Sequence, residues 1–238
     1  MKLDILAIAA HPDDVELACS GTIINHVRKG GNAGVIDLTQ GELGTRGTPE
    51  IRVQEAKAAA QVMGLAVREN LGFKDAFFMN DQVHQIEIIK KIRTYQPDLV
   101  LTNAITDRHP DHGKGSRLVS DACFFSGLGK IETLVDGQQQ EPWRPKAVYH
   151  FIQSNYIKPD VVVDISDSWE KKMESINAYS SQFHNPHSDE PETFISSSQF
   201  LDLIRARALD LGKSIGVEYA EGFTVERVPG VKTITDLI

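Results

Sequence analysis

Two short segments of the chain bring histidine and aspartate together. The segment AHPDDVE covers residues 10–16, and the segment DRHPDH covers residues 107–112. Each follows a predicted buried strand and precedes a predicted helix, and loops that leave the carboxyl ends of parallel strands line one crevice. Imidazole and carboxylate are the ligands expected of zinc where cysteine is absent. Together the two segments predict a metal site.

The spacing within these segments predicts which groups bind the metal. His11 and Asp14 flank a turn fixed by Pro12, so both can face one ion, and His112 can supply a third ligand from the second segment. Three protein ligands leave a fourth position open to water, as in catalytic zinc sites. Such a water has a pKa of about 7 and can attack at neutral pH. We expect one Zn²⁺ per chain, although the same ligands also accept Fe²⁺.

The remaining residues of the two segments suggest a division of acid and base work. Asp13, beside the metal ligands, can take a proton from the attacking water. His109 can protonate a leaving amine, and Asp111 can orient that imidazole and keep it cationic. Either segment alone would more often be a loop than a site, because proline and aspartate are common in turns. The presence of histidine at both strand ends favours the catalytic interpretation.

A glycine-rich loop, QGELGTRGT, follows the second predicted strand. It has neither the GxGxxG pattern nor the Lys-Ser/Thr pair of nucleotide-binding loops. We expect Glu42 and Arg46 of this loop, Arg52 one helical turn on, and Arg108 of the second segment to bind substrate. Two interpretations of Arg52 stay open. It can pair with Glu55 along a solvated helix face, or it can offer a guanidinium fork to a substrate carboxylate.

These segments lie in an alternation of strands and helices. Apolar runs predict buried strands, and helical spacing predicts the helices between them. Such alternation is typical of a mostly parallel sheet with helices on both faces. We therefore predict a Rossmann-like three-layer α/β fold in one domain, residues 1–238, with the active site at the carboxyl ends of the strands. The predicted strands are 3–10, 33–38, 98–102, 147–153, 161–165 and one within 218–227. The predicted helices are 15–29, 49–63, 83–95, 116–125, 167–181 and 196–215.

The composition excludes several classes of function. Lys and Arg number 25 against 33 Asp and Glu, a formal net charge of −8, which argues against sequence-independent binding of nucleic acid. No apolar run approaches the roughly 18 residues of a membrane-spanning helix. The N-terminal apolar run is short and interrupted by Asp4, so no signal peptide is predicted. Two cysteines without a CxxC pattern suit a reducing compartment. We expect a cytoplasmic protein.

The two segments resemble the signature of the LmbE-like (PIG-L) superfamily of zinc-dependent N-acetylglucosaminide deacetylases. By that resemblance, His11, Asp14 and His112 would be the zinc ligands, Asp13 the base and Arg52 a substrate contact. His109 would be the partner acid or the oxyanion stabiliser, and Asp111 its orienting carboxylate. The stretches DLTQGELGTRGT, IRVQEAKAAAQVMG, SINAYSSQF and GVEYAEGF resemble the bacillithiol branch, which deacetylates N-acetyl-D-glucosaminyl-malate. The resemblance also implies a homo-oligomer, with hexamers among the relatives.

One position departs from this pattern, and several functional alternatives stay open. Some relatives place a tyrosine hydroxyl near the oxyanion where this chain has Phe200; Tyr156, Tyr179 or Tyr219 can substitute, or His109 and the metal can suffice. The substrate can instead be a chitooligosaccharide or an inositol glycoside, and the loops 103–113 and 183–192 would decide. A non-catalytic metal- or sugar-binding module is a further alternative. A nucleotide-binding protein lacks its glycine fingerprint.

Overall fold

The computed structural model describes residues 1–183 and 189–237, and these contain nine β-strands and six α-helices. The strands are β1 (Ile5–Ala9), β2 (Ala33–Thr39), β3 (Val67–Phe73), β4 (Leu99–Thr102), β5 (Leu134–Val135), β6 (Gln138–Gln139), β7 (Ala147–Phe151), β8 (Val161–Asp164) and β9 (Ala220–Val225). The helices are α1 (Asp14–Arg28), α2 (Pro49–Met63), α3 (Gln82–Tyr95), α4 (Pro110–Phe125), α5 (Trp169–Asn177) and α6 (Phe200–Ile215).

Seven strands form one sheet in the order β3-β2-β1-β4-β7-β9-β8. The first five of these are parallel to their neighbours, whereas β9 pairs antiparallel with both β7 and β8. The chain moves from β1 to β2 in one direction and later crosses to β4 on the other side of β1. In such a sheet the ligand crevice opens outside the carboxyl ends of the two strands at the reversal. Here those strands are β1 and β4.

Alternate side chains of β1 enter two different cores. Ile5 and Ala7 pack with α1 on one face, whereas Leu6 and Ile8 pack with α3 and α4 on the other. A strand that is buried on both faces has a continuous apolar sequence, and this is why the sequence predicts β1 correctly. The central strands are thereby fixed between two helical layers, as a three-layer α/β fold requires. The predicted mostly parallel fold class is confirmed.

The start of α4 differs from the prediction. The sequence predicts a loop over 103–113 and a helix from Ser116, whereas the helix begins at Pro110. Proline is favoured at the first helical position, where its missing N–H is not needed. The ring of His109 caps the helix by accepting from the backbone N–H of Asp111. Asp111 and His112 therefore lie on the first turn of a helix rather than in a loop.

Other boundaries also differ from the prediction. The strand β3 was not predicted, because its polar residues Arg68, Glu69 and Asn70 interrupt the apolar pattern of a buried strand. The predicted loop 130–145 contains the short β5–β6 hairpin. α5 ends at Asn177 rather than near residue 181, and α6 begins at Phe200 rather than at 196. Residues 184–188 of the predicted 183–192 loop lie outside the described residues. In the described part of the chain, every helix is too short or too polar to span a bilayer.

Candidate active site

The two histidine- and aspartate-rich segments lie at the same edge of the sheet. β1 leads directly into the segment that contains His11, and Asp14 is the first residue of α1. β4, the neighbour of β1, leads into the segment that ends on the first turn of α4 at His112. The ring centroids of His11 and His112 are 5.6 Å apart. Residues about 100 positions apart therefore share one site.

Asp14 is the group that joins the two segments. Its carboxylate lies 3.5 Å from Nδ1 of His11 and 3.1 Å from Nε2 of His112. It also accepts hydrogen bonds from the Asn103 amide at 3.0 Å and the Gln153 amide at 2.7 Å, which fix its orientation. Burial alone would raise the pKa of Asp14, but the charge of His112 and the hydrogen bond from His11 hold it well below the usual range. Asp14 is therefore an ionised, oriented carboxylate between two imidazoles.

The outer nitrogen of each imidazole also contacts carboxylates. Nε2 of His11 lies 3.2 Å from Asp75 and 3.4 Å from Asp111. Nδ1 of His112 lies 2.7 Å from Asp107. Histidines that bind metals almost always hold the other ring nitrogen against a carboxylate or carbonyl, which orients the ring. The inner nitrogens, Nδ1 of His11 and Nε2 of His112, are thus left facing Asp14.

This donor set fits a divalent metal. Zinc bonds of about 2.0–2.1 Å in a tetrahedral site place neighbouring ligand atoms roughly 3.3 Å apart. The separation of 3.5 Å from Oδ2 of Asp14 to Nδ1 of His11 and that of 3.1 Å from Oδ1 of Asp14 to Nε2 of His112 are close to that value. Within the described residues, the groups whose donor atoms all lie within 4.8 Å of one another are His11, His109 and His112, and His11, Asp75 and Asp111; the set of His11, Asp14 and His112 is not among them. The Asp14 set is a better candidate than the three-histidine group, because the other ring nitrogens of His11 and His112 face carboxylates, whereas Nδ1 of His109 accepts from a backbone N–H.

Asp13 lies next to this donor set in an unusual backbone conformation. Its φ of 105° and ψ of −24° lie in the left-handed region, which disfavours a residue with a Cβ. The Asp13 carboxylate accepts from Nη2 of Arg52 at 2.8 Å, and the same Nη2 donates to the carbonyl of Pro12. Burial raises the pKa of Asp13 to about 7, against the lowering effect of Arg52. A carboxyl with that pKa can accept and return a proton near neutral pH.

The predicted pairing of His109 with the Asp111 carboxylate is wrong. That carboxylate accepts from the backbone N–H of Ala76 at 2.9 Å and from Lys114, and it faces His11. Burial and the nearby charges of His11 and His112 lower the pKa of His109, so Asp111 does not keep it cationic. Nδ1 of His109 accepts from the Asp111 backbone N–H at 3.3 Å, which leaves the proton of the neutral ring on Nε2.

A cavity of about 560 Å³ opens over these residues. Asp13, Asp14 and the three histidines belong to its polar lining (the floor), and Phe194, Ile195 and the apolar residues of α6 belong to its apolar lining (the wall). Phe200, which stands where some relatives have a tyrosine, is part of that wall. The described residues that line the cavity include no tyrosine. Of the tyrosines proposed as substitutes, Tyr179 bonds to Arg68, Tyr219 stacks on Trp169 and Tyr156 is 80% exposed.

The four residues predicted to bind substrate have different environments. Arg46, Arg52 and Arg108 line the cavity, whereas Glu42 does not and instead accepts from the backbone N–H of Asp75. Arg52 is buried against Asp13. Its alternative pairing with Glu55 is wrong, because the Glu55 carboxylate accepts from two serines of the segment 180–181. Arg52 is therefore directed at Asp13 rather than at solvent.

Two carboxylates of the site had no predicted role. Asp107 lies in the quoted DRHPDH segment, five residues before His112, so its proximity to the histidines was available in the sequence. Asp75 lies 64 residues from His11, just after the unpredicted strand β3, and no local signal marks it. It reaches His11 because β3 ends at the same edge of the sheet as β1.

A family model described as PIG-L, GlcNAc-PI de-N-acetylase, matches residues 6–123 of this chain. The match includes both segments that form the floor of the cavity. The solved structure of the conserved protein TT1542 from Thermus thermophilus superposes with a TM-score of 0.87 at 31% identity and covers 98% of both chains. That likeness extends over the whole fold, including the part beyond the family match.

Two curated relatives carry functional names. The diacetylchitobiose deacetylase of Thermococcus kodakarensis is 29% identical over 240 residues, which cover 95% of this chain and 84% of that protein. A Bacillus cereus protein named probable N-acetyl-alpha-D-glucosaminyl L-malate deacetylase 2 is 28% identical over 200 residues, which cover 76% of this chain and 84% of that protein. Both names describe removal of an acetyl group from an N-acetylglucosamine derivative.

Proposed function

The chain belongs to the PIG-L family of deacetylases, and from that premise we propose that it hydrolyses the acetamide of an N-acetylglucosaminide with the help of a divalent metal. His11, Asp14 and His112 would hold the metal, with zinc as the first choice. The observation that supports this most directly is the position of Asp14 between two imidazoles whose outer nitrogens contact carboxylates. When bound there, a divalent metal supplies a Lewis acid for the carbonyl oxygen and lowers the pKa of water.

The other residues of the floor have separate tasks in this proposal. Asp13 takes the proton of the attacking water and returns it to the departing amine nitrogen, as its pKa of about 7 allows. Arg52 holds the Asp13 carboxylate in place. His109 carries its proton on Nε2 and donates to the carbonyl oxygen as negative charge develops there. Asp111, Asp75 and Asp107 keep the two metal-binding rings in position.

We further propose N-acetyl-D-glucosaminyl-malate as the substrate, which would make the reaction a step of bacillithiol biosynthesis. The Bacillus relative supports this choice, and so do the arginines that line the cavity, since guanidinium groups bind carboxylates. The alternative substrate is N,N'-diacetylchitobiose, which the Thermococcus relative favours. That substrate carries no charge and would make no use of the arginines as anion ligands.

The test measures acetate and amine release by the zinc-loaded protein from a panel of substrates. The panel contains the malate glycoside, diacetylchitobiose and an N-acetylglucosaminyl inositol, and bound metal is measured in the same preparation. We expect release from all or some of them, with the highest kcat/KM on the malate glycoside. Bound zinc without release from any substrate would contradict the deacetylase proposal and support a binding module. Fastest release from diacetylchitobiose would contradict the malate assignment alone.

A further inference from the structure

Helix α6 presents one continuous stripe of side chains to the cavity. Phe200, Leu203, Ile204 and Arg207 all line it, at the i, i+3, i+4 and i+7 positions that share a helix face. The first three are apolar and belong to the wall. Arg207 is the exception, because it places a permanent positive charge on an otherwise apolar stripe.

Arg207 is not paired within hydrogen-bond distance in the described residues, although the Asp107 carboxylate is near enough to act on its charge. Its guanidinium makes no hydrogen bond and no ion pair there, although Asp210 lies three residues on along the same helix. The other cavity arginines differ: Arg52 bonds Asp13, Arg46 donates to the carbonyl of Ser181, and Arg108 lies over the ring of Phe194 at 4.4 Å. Residues 184–188, outside the described ranges, contain no aspartate or glutamate.

The surroundings of Arg207 increase its need for an anion. The side chain is only partly exposed, and burial lowers the pKa of its guanidinium, with Asp107 acting in the opposite direction. The Asp107 carboxylate is already occupied by Nδ1 of His112 and by the backbone N–H groups of Arg108, Ser154 and Asn155. A half-buried cation without a partner is costly unless a ligand supplies the opposite charge.

We propose that Arg207 is a specificity-determining residue that binds a carboxylate on the aglycone of the substrate, so that the enzyme prefers acidic N-acetylglucosaminides to neutral ones. This inference rests on the proposed deacetylase function and extends it to the choice of substrate. The planar guanidinium fork matches a carboxylate with two parallel hydrogen bonds. Arg207 follows the apolar side chains along this face of α6, so an acetamide at the proposed metal site would leave the aglycone beside α6.

The experiment compares two substrates of the same shape that differ in charge. One is N-acetylglucosaminyl-malate with free carboxylates, and the other is its dimethyl ester. The variants are Arg207→Gln, Arg207→Lys and, as the matched control, Arg205→Gln, since Arg205 lies on the same helix, is exposed to water and does not line the cavity. We expect Arg207→Gln to lower kcat/KM for the diacid roughly 10- to 100-fold, mainly through KM, and to change the diester less than about threefold. Arg207→Lys should restore part of the loss, and Arg205→Gln should match the parent.

The outcomes separate this inference from the function on which it rests. Equal losses on diacid and diester, or no loss on either, would overturn the role of Arg207. If the zinc-loaded parent hydrolyses neither substrate, the proposed malate substrate fails, release from the rest of the panel decides the deacetylase function, and calorimetric titration of the diacid decides the inference alone. Binding that weakens at least tenfold in Arg207→Gln but not in Arg205→Gln would support it. Absent or unchanged binding would overturn it.

Discussion

Asp107 accepts a hydrogen bond from Nδ1 of His112 at 2.7 Å, and this bond directs Nε2 of the same ring at Asp14. The carboxylate is itself held by backbone N–H groups, including that of Asn155 at 2.8 Å. Burial acts to lower the pKa of His112, but Asp14 and Asp107 together raise it to about 9. The ring is thus oriented from behind by a carboxylate that does not line the cavity.

We expect Asp107→Asn to weaken metal binding without removing any metal ligand. The amide cannot accept as strongly from His112, so the ring loses both orientation and basicity. Loss of such a partner typically lowers metal affinity about 10- to 100-fold. Competition with a chelator measures this affinity, and Asp210→Asn, on the exposed side of α6, is the control. Equal zinc affinity in the two variants would show that Asp107 has no role at the metal.

Adjacent aspartates should give opposite phenotypes. Asp13→Asn removes the proposed base but leaves the donor set intact, so metal content should persist while kcat falls about 100- to 10,000-fold. Asp14→Asn replaces the proposed central ligand, so both metal and activity should be lost. Zinc raises the Tm of a protein that binds it only in the folded state, and that increment should survive in Asp13→Asn and disappear in Asp14→Asn. Normal turnover by Asp13→Asn would show that Asp13 is not the base.

A buried network behind the site makes stability depend on pH. Arg68 bonds both Asp37 and Glu16, and burial raises the pKa of Asp37 from 3.8 to about 6 in spite of Arg68. A raised folded pKa favours the folded state at low pH and loses that benefit as pH rises through the folded value. Arg68→Met removes the positive charge that opposes this rise, so the pKa of Asp37 increases further and the loss of stability grows with pH.

We expect Arg68→Met to cost about 3–5 kcal/mol at neutral pH, as for a buried ion pair with one partner removed. Urea unfolding at about pH 5 and about pH 8 should show the larger loss at the higher pH. Arg93→Met is the control, because the buried Arg93 donates to the carbonyls of Ser126, Ile131 and Leu128 rather than to carboxylates. Its cost should not vary over this range. The same lack of variation in Arg68→Met would contradict the role of Asp37.

The parts of the fold that the sequence predicts well are those with local causes. The apolar run of β1 is buried on both faces, and the turn at Pro12 places His11 and Asp14 on one side. The start of α4 was also available, since Pro110 at the first helical position is a known signal.

The parts that escaped prediction depend on contacts between distant residues. The polar strand β3 is stabilised where Arg68 meets Asp37 on β2, a pairing that no periodicity reveals. The partner of Asp111 is His11 rather than the nearby His109, because α4 begins early enough to turn the carboxylate toward the other segment. Arg207 belongs to no sequence motif. Its place in the cavity follows only from the helix face that it shares with Phe200.

Gly41 of the glycine-rich loop leaves space for the side chain of Arg52. Gly41 has a φ of +65°, and a Cβ there would lie 2.1 Å from Nη1 of Arg52. Gly41→Ala should therefore displace the guanidinium that holds Asp13. Misplacement of about 1 Å near a reacting group costs up to roughly 100-fold in rate, so we expect kcat to fall about 10- to 100-fold with metal content unchanged.

Gly30→Ala is the control that separates the effect of this steric clash from the effect of backbone strain at a positive φ. Gly30 also has a positive φ, +87°, but a Cβ there meets nothing within 4 Å, and the residue follows the end of α1 that is remote from Asp14. Both variants should lose about 1 kcal/mol or more of stability, because alanine is strained at positive φ. Only Gly41→Ala should lose activity, measured as kcat on folded, zinc-loaded protein. Equal kcat in the two variants would mean that Arg52 can move aside without disturbing Asp13.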